Sequence, residues 1–179
     1  MSINDNGIME ALKENPQNGF RMLMAKYQES VYWHIRRLVV FHDDAQDASQ
    51  ETFVRIYRSF GNYRGDCSLR SWIYRIATNE ALRIISKRRQ EVVSIESETT
   101  GVNLIQGDDY IDFDDKVAVK LQKAILLLPP KQQLAFNMRY YDELEFDEIA
   151  KVADSTPTSI KASYHVAKEK IIKYMNSND

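Results

Sequence analysis

Several features that mark other classes of protein are scarce or missing in this chain of 179 residues. The single cysteine, Cys67, cannot form an internal disulfide. No apolar run approaches the roughly 18 residues that predict a transmembrane helix. The N-terminus also lacks the basic and apolar segments of a secretory signal. We therefore expect a protein of the reducing cytoplasm.

The chain also has little of what enzymes use. Its six glycines form no phosphate-binding loop, and no nucleophile lies beside an evident base. His34 and His42 have no further cluster of metal-ligating residues around them, so we expect structural or solvent roles for both. These absences argue against an enzyme and predict no catalytic residue, no cofactor, no metal and no small-molecule substrate.

Neither sign of charge is in large excess, because the net charge is −2. The acidic and basic residues are nevertheless segregated into different segments of the chain. Residues 70–90 contain six basic side chains and one acidic one, whereas residues 91–115 contain eight acidic side chains and no basic one. Residues 116–179 are slightly basic, with ten basic and eight acidic side chains. Such segregation is typical of a protein that contacts an anionic partner and a basic one with different segments.

Apolar residues recur at helical spacing, which predicts an all-α protein. Residues 1–18 are polar with little periodicity and are expected to include a frayed end. Three amphipathic helices follow, the second opened by Asp43 and Asp44 and the third capped by Ser68. Their apolar faces consist of Phe20, Leu23, Met24, Tyr27, Val31, Ile35 and Leu38, then Ala45, Ala48, Thr52 and Ile56, then Leu69, Trp72, Ile73, Ile76 and Ala77. Taken alone, the second helix is an ordinary core helix with a solvated acidic side.

The third helix also has a basic, aromatic and amide-bearing face beside a flexible aromatic turn. Cations there could hold a nucleic-acid backbone while aromatic and amide groups take unstacked bases, which suits a single strand. This face consists of Arg70, Tyr74, Arg75, Thr78, Asn79 and Arg83. Core packing is the competing interpretation for Tyr74 and the favoured one for Trp72.

Residues 91–115 lose periodicity and are rich in Ser, Thr, Glu and Asp, which predicts a flexible acidic linker. Fully extended, this segment could span up to about 85 Å. It divides the chain into two small helical domains, residues 1–90 and residues 116–179. The second domain begins with helices on either side of Pro129 and Pro130.

The C-terminal part of the second domain has the pattern of a helix-turn-helix. Ala150 is small enough for a close helix crossing, and Thr156 followed by Pro157 starts the second helix. Asp154 occupies the turn, where it tolerates a left-handed conformation better than most residues. The expected buried stripe is Ile160, Tyr164, Ala167 and Ile171.

Two motifs in this order resemble regions 2 and 4 of the small extracytoplasmic-function (ECF) sigma factors of the sigma-70 family. The first lies in 44–53, 63–68 and 72–79, which read DAQDASQETF from Asp44, YRGDCS from Tyr63 and WIYRIATN from Trp72. The second includes LPPKQ from Leu128, RYY from Arg139, EIA from Glu148 and IK from Ile160. Departures occur at Asp154, Ser155 and Glu145, and at Ser163 and Val166, where arginines are common in the family.

The resemblance implies three sets of binding residues. Docking on core polymerase would use Asp47, Gln50, Glu51 and Phe53. The opened −10 promoter element would be bound by Asn62, Tyr63, Arg64, Gly65, Asp66, Arg75, Asn79 and Arg83. The −35 element would meet Thr158, Ser159, Lys161, Ala162, His165 and Lys168.

The expected function is therefore a non-catalytic sigma factor that binds core RNA polymerase and directs promoter recognition, DNA melting and transcription initiation. The family often pairs with a membrane-associated anti-sigma factor, which is an expected further partner. In the family the segment between the domains runs toward the active-centre cleft, so residues 91–115 are either a nucleic-acid mimic or a solvated spacer. The alternative function is a helix-turn-helix repressor or activator that acts without core polymerase, which accounts for residues 143–172 but not for the acidic helix.

Overall fold

The computed structural model describes residues 4–93 and 115–177, apart from the side chains of residues 89 and 91–93. In these ranges the chain is all-α, as predicted. The helices are α1 (Asp5–Glu14), α2 (Pro16–Leu38), α3 (His42–Ser59), α4 (Leu69–Val93), α5 (Lys116–Leu126), α6 (Pro130–Tyr140), α7 (Phe146–Val152) and α8 (Pro157–Asn176). A short 3-10 turn, Phe60–Asn62, follows α3. No helix described here combines the length and the apolar character needed to cross a bilayer.

Helix α1 occupies most of the N-terminal segment that shows little periodicity, and residues 1–3, where the frayed end is expected, lie outside the described residues. The side chain of Asn4 caps it by accepting hydrogen bonds from the backbone of Asn6 and Gly7, at 2.6 and 3.3 Å. Ile8 and Leu12, one turn apart, are buried against α2. Gly19 permits this packing, because a Cβ there would lie 2.4 Å from the Leu12 backbone nitrogen. Two apolar residues and a good cap are thus enough for a helix that weak periodicity does not predict.

The core of the N-terminal domain forms where the sequence pattern places it. Helices α2, α3 and α4 pack on one another, and the four predicted inward residues of α3 are fully buried. Ser68 caps α4, its hydroxyl accepting from the Ser71 amide at 3.1 Å. Phe20 and Met24 depart from the pattern, because they remain half-exposed on the predicted core face of α2.

The C-terminal domain packs α8 against α5, α6 and α7. Ile160, Ala167 and Ile171 are buried as predicted, and Tyr164 is half-buried among aromatic rings. Asp154 has the left-handed backbone predicted for the turn, with φ of 50°. The Thr156 hydroxyl accepts from the Ser159 amide at 3.2 Å, which starts α8 at Pro157.

The two helical domains lie in contact with each other. Helix α7 packs on α4, and α6 touches α2. Buried residues from both sides, among them Ile73, Met138 and Ile149, belong to one continuous apolar core. Most of the acidic linker, residues 94–114, lies outside the described residues.

Candidate nucleic-acid and protein-docking surfaces

The outer face of α3 borders an open apolar groove. Asp47 and Gln50 are exposed, Glu51 is partly exposed, and Phe53 is only 7% exposed because it lies in the floor of the groove. The groove has a volume of about 850 Å³. It is lined by Phe20, Met24, Gln28, Ser49, Gln50, Phe53, Val54, Tyr57 and Arg58. Gln50 and Phe53 thus line the groove, whereas Asp47 and Glu51 lie on the same helix outside its lining, and Arg58 adds a cation to the lining.

Sequence reasoning missed four apolar members of this groove, namely Phe20, Met24, Val54 and Tyr57. Tyr57 is 53% exposed, and its ring meets the ring of Phe20 edge to face at 5.1 Å. The width of the apolar surface of α3 was the available signal. Ala45, Ala48, Thr52 and Ile56 already fill the core face, so Phe53, Val54 and Tyr57 exceed what one core stripe needs.

The acidic side of α3 is partly neutralised by its own helix. Arg55 Nε lies 3.2 Å from a Glu51 carboxylate oxygen and 2.6 Å from a carboxylate oxygen of Glu80 on α4. Glu80 is 2% exposed and also contacts Arg83 at 2.8 Å. This chain of ion pairs joins Glu51 of the predicted core-docking set to Arg83 of the predicted −10 set.

The predicted −10 loop is exposed on a rigid aromatic base. Asn62, Arg64, Gly65 and Asp66 face solvent, whereas Tyr63 is half-buried. The ring of Tyr63 lies 5.2 Å from that of Trp72, and its hydroxyl donates to the Cys67 carbonyl at 2.5 Å. Gly65 has φ of +78°, a conformation that side chains other than glycine rarely adopt. Tyr63 thus supports the loop, and its neighbours are free to meet a ligand.

Helix α4 divides the predicted nucleic-acid face into two. Arg75, Asn79 and Arg83 are one turn apart on an exposed strip beside the loop. Tyr74 and Thr78, which the sequence grouped with them, are 1% and 2% exposed. That grouping is wrong for Thr78, and for Tyr74 the structure supports the competing interpretation of core packing. His34 of α2 covers both, with its ring 4.8 Å from that of Tyr74 and its Nε2 2.8 Å from the Thr78 hydroxyl, and no pattern within α4 reveals this contact.

The outward face of α8 carries the predicted −35 set. Thr158, Lys161, Ala162, His165 and Lys168 are exposed. Ser159 is half-buried, and its hydroxyl accepts from the ammonium group of Lys131 at 2.8 Å. Lys131, in the first turn of α6, is a further cation beside this face that sequence reasoning did not assign.

Burial also acts on the ionisable residues around these surfaces. Burial raises the pKa of the Cys67 thiol, and nearby Lys151 and Arg75 offset only part of that effect. Burial likewise raises the pKa of Tyr63. Both side chains therefore stay protonated and uncharged at neutral pH. Among the described residues, no group of three or more His, Cys, Asp or Glu side chains is arranged to hold a metal ion.

Comparison with known proteins identifies both halves of the chain. The sigma-70 region 2 family matches residues 23–91, and the sigma-70 region 4 family matches residues 118–171. The RNA polymerase sigma-H factor of Pseudomonas aeruginosa is 27% identical over 178 residues, 94% of this chain and 92% of its own length. The ECF RNA polymerase sigma-E factor of Escherichia coli K12 is 26% identical over 178 residues, 94% of this chain and 93% of its own.

Solved structures share the fold. The sigma factor RpoE of Bartonella quintana, solved with the anti-sigma factor NepR, has a TM-score of 0.71 at 18% identity, over 89% of this chain and 98% of its own. CnrH, solved with the cytosolic domain of CnrY, has a TM-score of 0.73 at 15% identity, over 98% and 99%. The chain therefore belongs to the sigma-70 family of RNA polymerase sigma factors, non-catalytic specificity subunits of the polymerase, and its relatives include ECF members.

Proposed function

We propose that this cytoplasmic protein binds core RNA polymerase through the α3 groove and directs promoter recognition, DNA melting and initiation. The observation that carries the proposal is an open apolar groove beside a helix that also carries the exposed Asp47 and the partly exposed Glu51. A basic, amphipathic helix of the largest polymerase subunit would place apolar residues in the groove and cations beside Asp47 and Glu51. Val54 and Tyr57 join Asp47, Gln50, Glu51 and Phe53 in this docking surface.

The exposed loop and the strip on α4 would bind the opened −10 element. The loop from Asn62 to Asp66 offers polar groups and free backbone to an unpaired base, while Arg75 and Arg83 attract the phosphates. Asn79 lies between the two arginines on the helix and can hydrogen-bond a base edge. Arg83 must share its charge with Glu80, so Arg75 is the stronger phosphate ligand of the pair.

The outward face of α8 would lie against the −35 element in the major groove. Only Lys161 and Lys168 are cationic in the predicted set, with Lys131 close by. Bidentate arginine–guanine contacts are therefore unavailable from this face. Contacts to the DNA phosphate backbone and the shape of the DNA would supply most of the recognition. The C-terminal domain would therefore bind weakly unless core polymerase holds it in place.

The domain division into residues 1–90, 91–115 and 116–179 fits this division of labour. We propose that the acidic linker occupies the basic nucleic-acid cleft of the polymerase before RNA fills it, since eight carboxylates mimic a phosphate chain. A membrane-associated anti-sigma factor is a proposed further partner, supported by the structural neighbour solved with the anti-sigma factor NepR.

The division of promoter contacts is tested by transcription with Asn79→Ala and Lys161→Ala, each on duplex and pre-melted templates. Loss of Asn79 should impair use of the −10 element on both templates. Loss of Lys161 should weaken recruitment roughly uniformly across −35 sequences, and more so at high salt. A sharp change in −35 base preference on losing Lys161 would show that this side chain reads bases.

A further inference from the structure

One residue of the C-terminal domain is held by three side chains of the N-terminal domain. Asp142, in the turn after α6, is 6% exposed. One carboxylate oxygen lies 2.7 Å from His34 Nδ1, and the other accepts from Arg37 at 3.1 Å. The backbone carbonyl of Asp142 accepts a hydrogen bond from Arg70. Both carboxylate oxygens therefore contact side chains across the seam between the domains.

On the N-terminal side of this contact, His34 is buried and held by neighbouring side chains. His34 is 1% exposed, and its Nε2 lies 2.8 Å from the hydroxyl of Thr78, which is 2% exposed. Its ring packs against the ring of Tyr74 at 4.8 Å. The Arg37 guanidinium also lies over the ring of Tyr141, 4.5 Å from its centroid. This arrangement explains why Tyr74 and Thr78 are covered on a helix whose next face is exposed.

The turn that carries Asp142 is set by its own domain. The Asp142 amide donates to the Asn137 carbonyl at 3.2 Å, and the Leu144 amide donates to the Met138 carbonyl at 3.0 Å. Glu143 between them has φ of 54°, which is strained for a residue other than glycine. Because backbone hydrogen bonds define the turn, the Asp142 carboxylate can be changed without removing a hydrogen bond that shapes the turn.

The closed arrangement conflicts with simultaneous use of both promoter elements. The −10 and −35 elements lie about 25 base pairs apart, which is about 85 Å along B-form DNA. In the structure α7 packs directly on α4, beside the strip proposed for the −10 element. The two domains must therefore separate before one chain can occupy both elements, and a linker of this length permits that separation.

We infer that Asp142 is an intramolecular latch, which holds the free chain closed through His34 and Arg37 and is released when the domains engage the polymerase and promoter. A buried carboxylate that is paired across a seam selects one domain arrangement, because a small displacement of the domains would leave charges buried without partners. Once the domains separate, water solvates the same groups, so the latch is reversible. The release of the latch on polymerase and promoter rests on the proposed function, whereas the closed state of the free chain does not.

The test measures domain separation in the free, full-length chain. Donor and acceptor dyes are attached at Lys13→Cys and Lys173→Cys, both exposed positions, in a Cys67→Ser background. Single-molecule energy transfer should show mainly the closed distance. Asp142→Asn keeps the shape and removes the charge, and hydrogen bonds to charged groups predict a rise of about 10- to 100-fold in the open-to-closed ratio. Asp147→Asn, an exposed acid of α7, makes the same charge change and should leave the ratio unaltered.

A second variant keeps the test decisive if Asp142→Asn impairs folding. Arg37→Gln alters a side chain that is 18% exposed, and it should also open the chain, by a smaller factor. Circular dichroism reports whether the helices remain. Unchanged ratios in both variants, or a wild-type chain that is mainly open, would overturn the latch. Run-off transcription is scored separately: opening without polymerase-dependent transcription would refute the proposed function and leave the latch standing.

Discussion

The sharpest test of the docking surface is the substitution Tyr57→Ala. Tyr57 is 53% exposed in the free chain, so about 100 Å² of its side chain remains to be covered by a partner. At about 25 cal/mol per Å², covering it contributes up to about 2.5 kcal/mol to binding. The dissociation constant for core polymerase should therefore rise by as much as about 60-fold. Fluorescence anisotropy of labelled chain titrated with core polymerase measures this change directly.

Two controls separate docking from folding in this experiment. Tyr57→Phe retains the ring and should bind almost as the unaltered chain does. Leu82→Ala removes an exposed apolar side chain of α4, 41% exposed, that does not line the groove, so it should have little effect. Thermal unfolding of Tyr57→Ala should change little, because the residue contributes mainly an edge contact with Phe20. If Tyr57→Ala folds normally and binds core polymerase with unaltered affinity, the groove is not the docking surface.

The remaining predictions concern four other parts of the chain. Charge reversal at Asp47 and Glu51 together should abolish co-purification with core polymerase while leaving the circular dichroism spectrum unaltered; normal co-purification would contradict the role of the acidic side. Replacing the acids of residues 91–115 with Ser and Gln at constant length should alter abortive synthesis and promoter escape, and no change would favour the solvated spacer. Cys67 should react with iodoacetamide more slowly in the folded chain than in guanidinium at pH 7.5, and the folded rate should keep rising with pH beyond the ordinary thiol range, because burial raises its pKa; equal rates would show a free thiol. Gly19→Ala should destabilise the chain by about 1–3 kcal/mol in denaturant unfolding, since its Cβ meets the Leu12 backbone, and an unaltered midpoint would show that α1 does not pack this closely.

Much of the fold follows from short-range patterns that the structure confirms. Ser68 and Thr156 start α4 and α8 because their hydroxyls accept from backbone amides three residues on. Asp154 takes the left-handed turn in the absence of glycine. These features depend on a few neighbouring residues, so the local sequence contains the information needed to predict them.

The features that escaped prediction depend on distant parts of the chain. Tyr74 and Thr78 are covered by His34, which lies forty or more residues earlier in the sequence and is itself held by Asp142 of the other domain. Phe20 and Met24 follow the apolar stripe of α2 but line an open groove, since the neighbouring α3 covers them only in part. A helical pattern indicates that a face is apolar, but it does not indicate what covers that face.

The central claim is that this chain gives core RNA polymerase a promoter specificity. Purified bacterial core polymerase, with and without the chain, should transcribe sheared genomic DNA of the source organism, and the RNA 5′ ends should be mapped. The account predicts a small set of new start sites that depend on the chain and share two upstream sequence elements. No new start sites, with the chain binding duplex DNA alone as a dimer, would contradict the account and favour a conventional helix-turn-helix regulator.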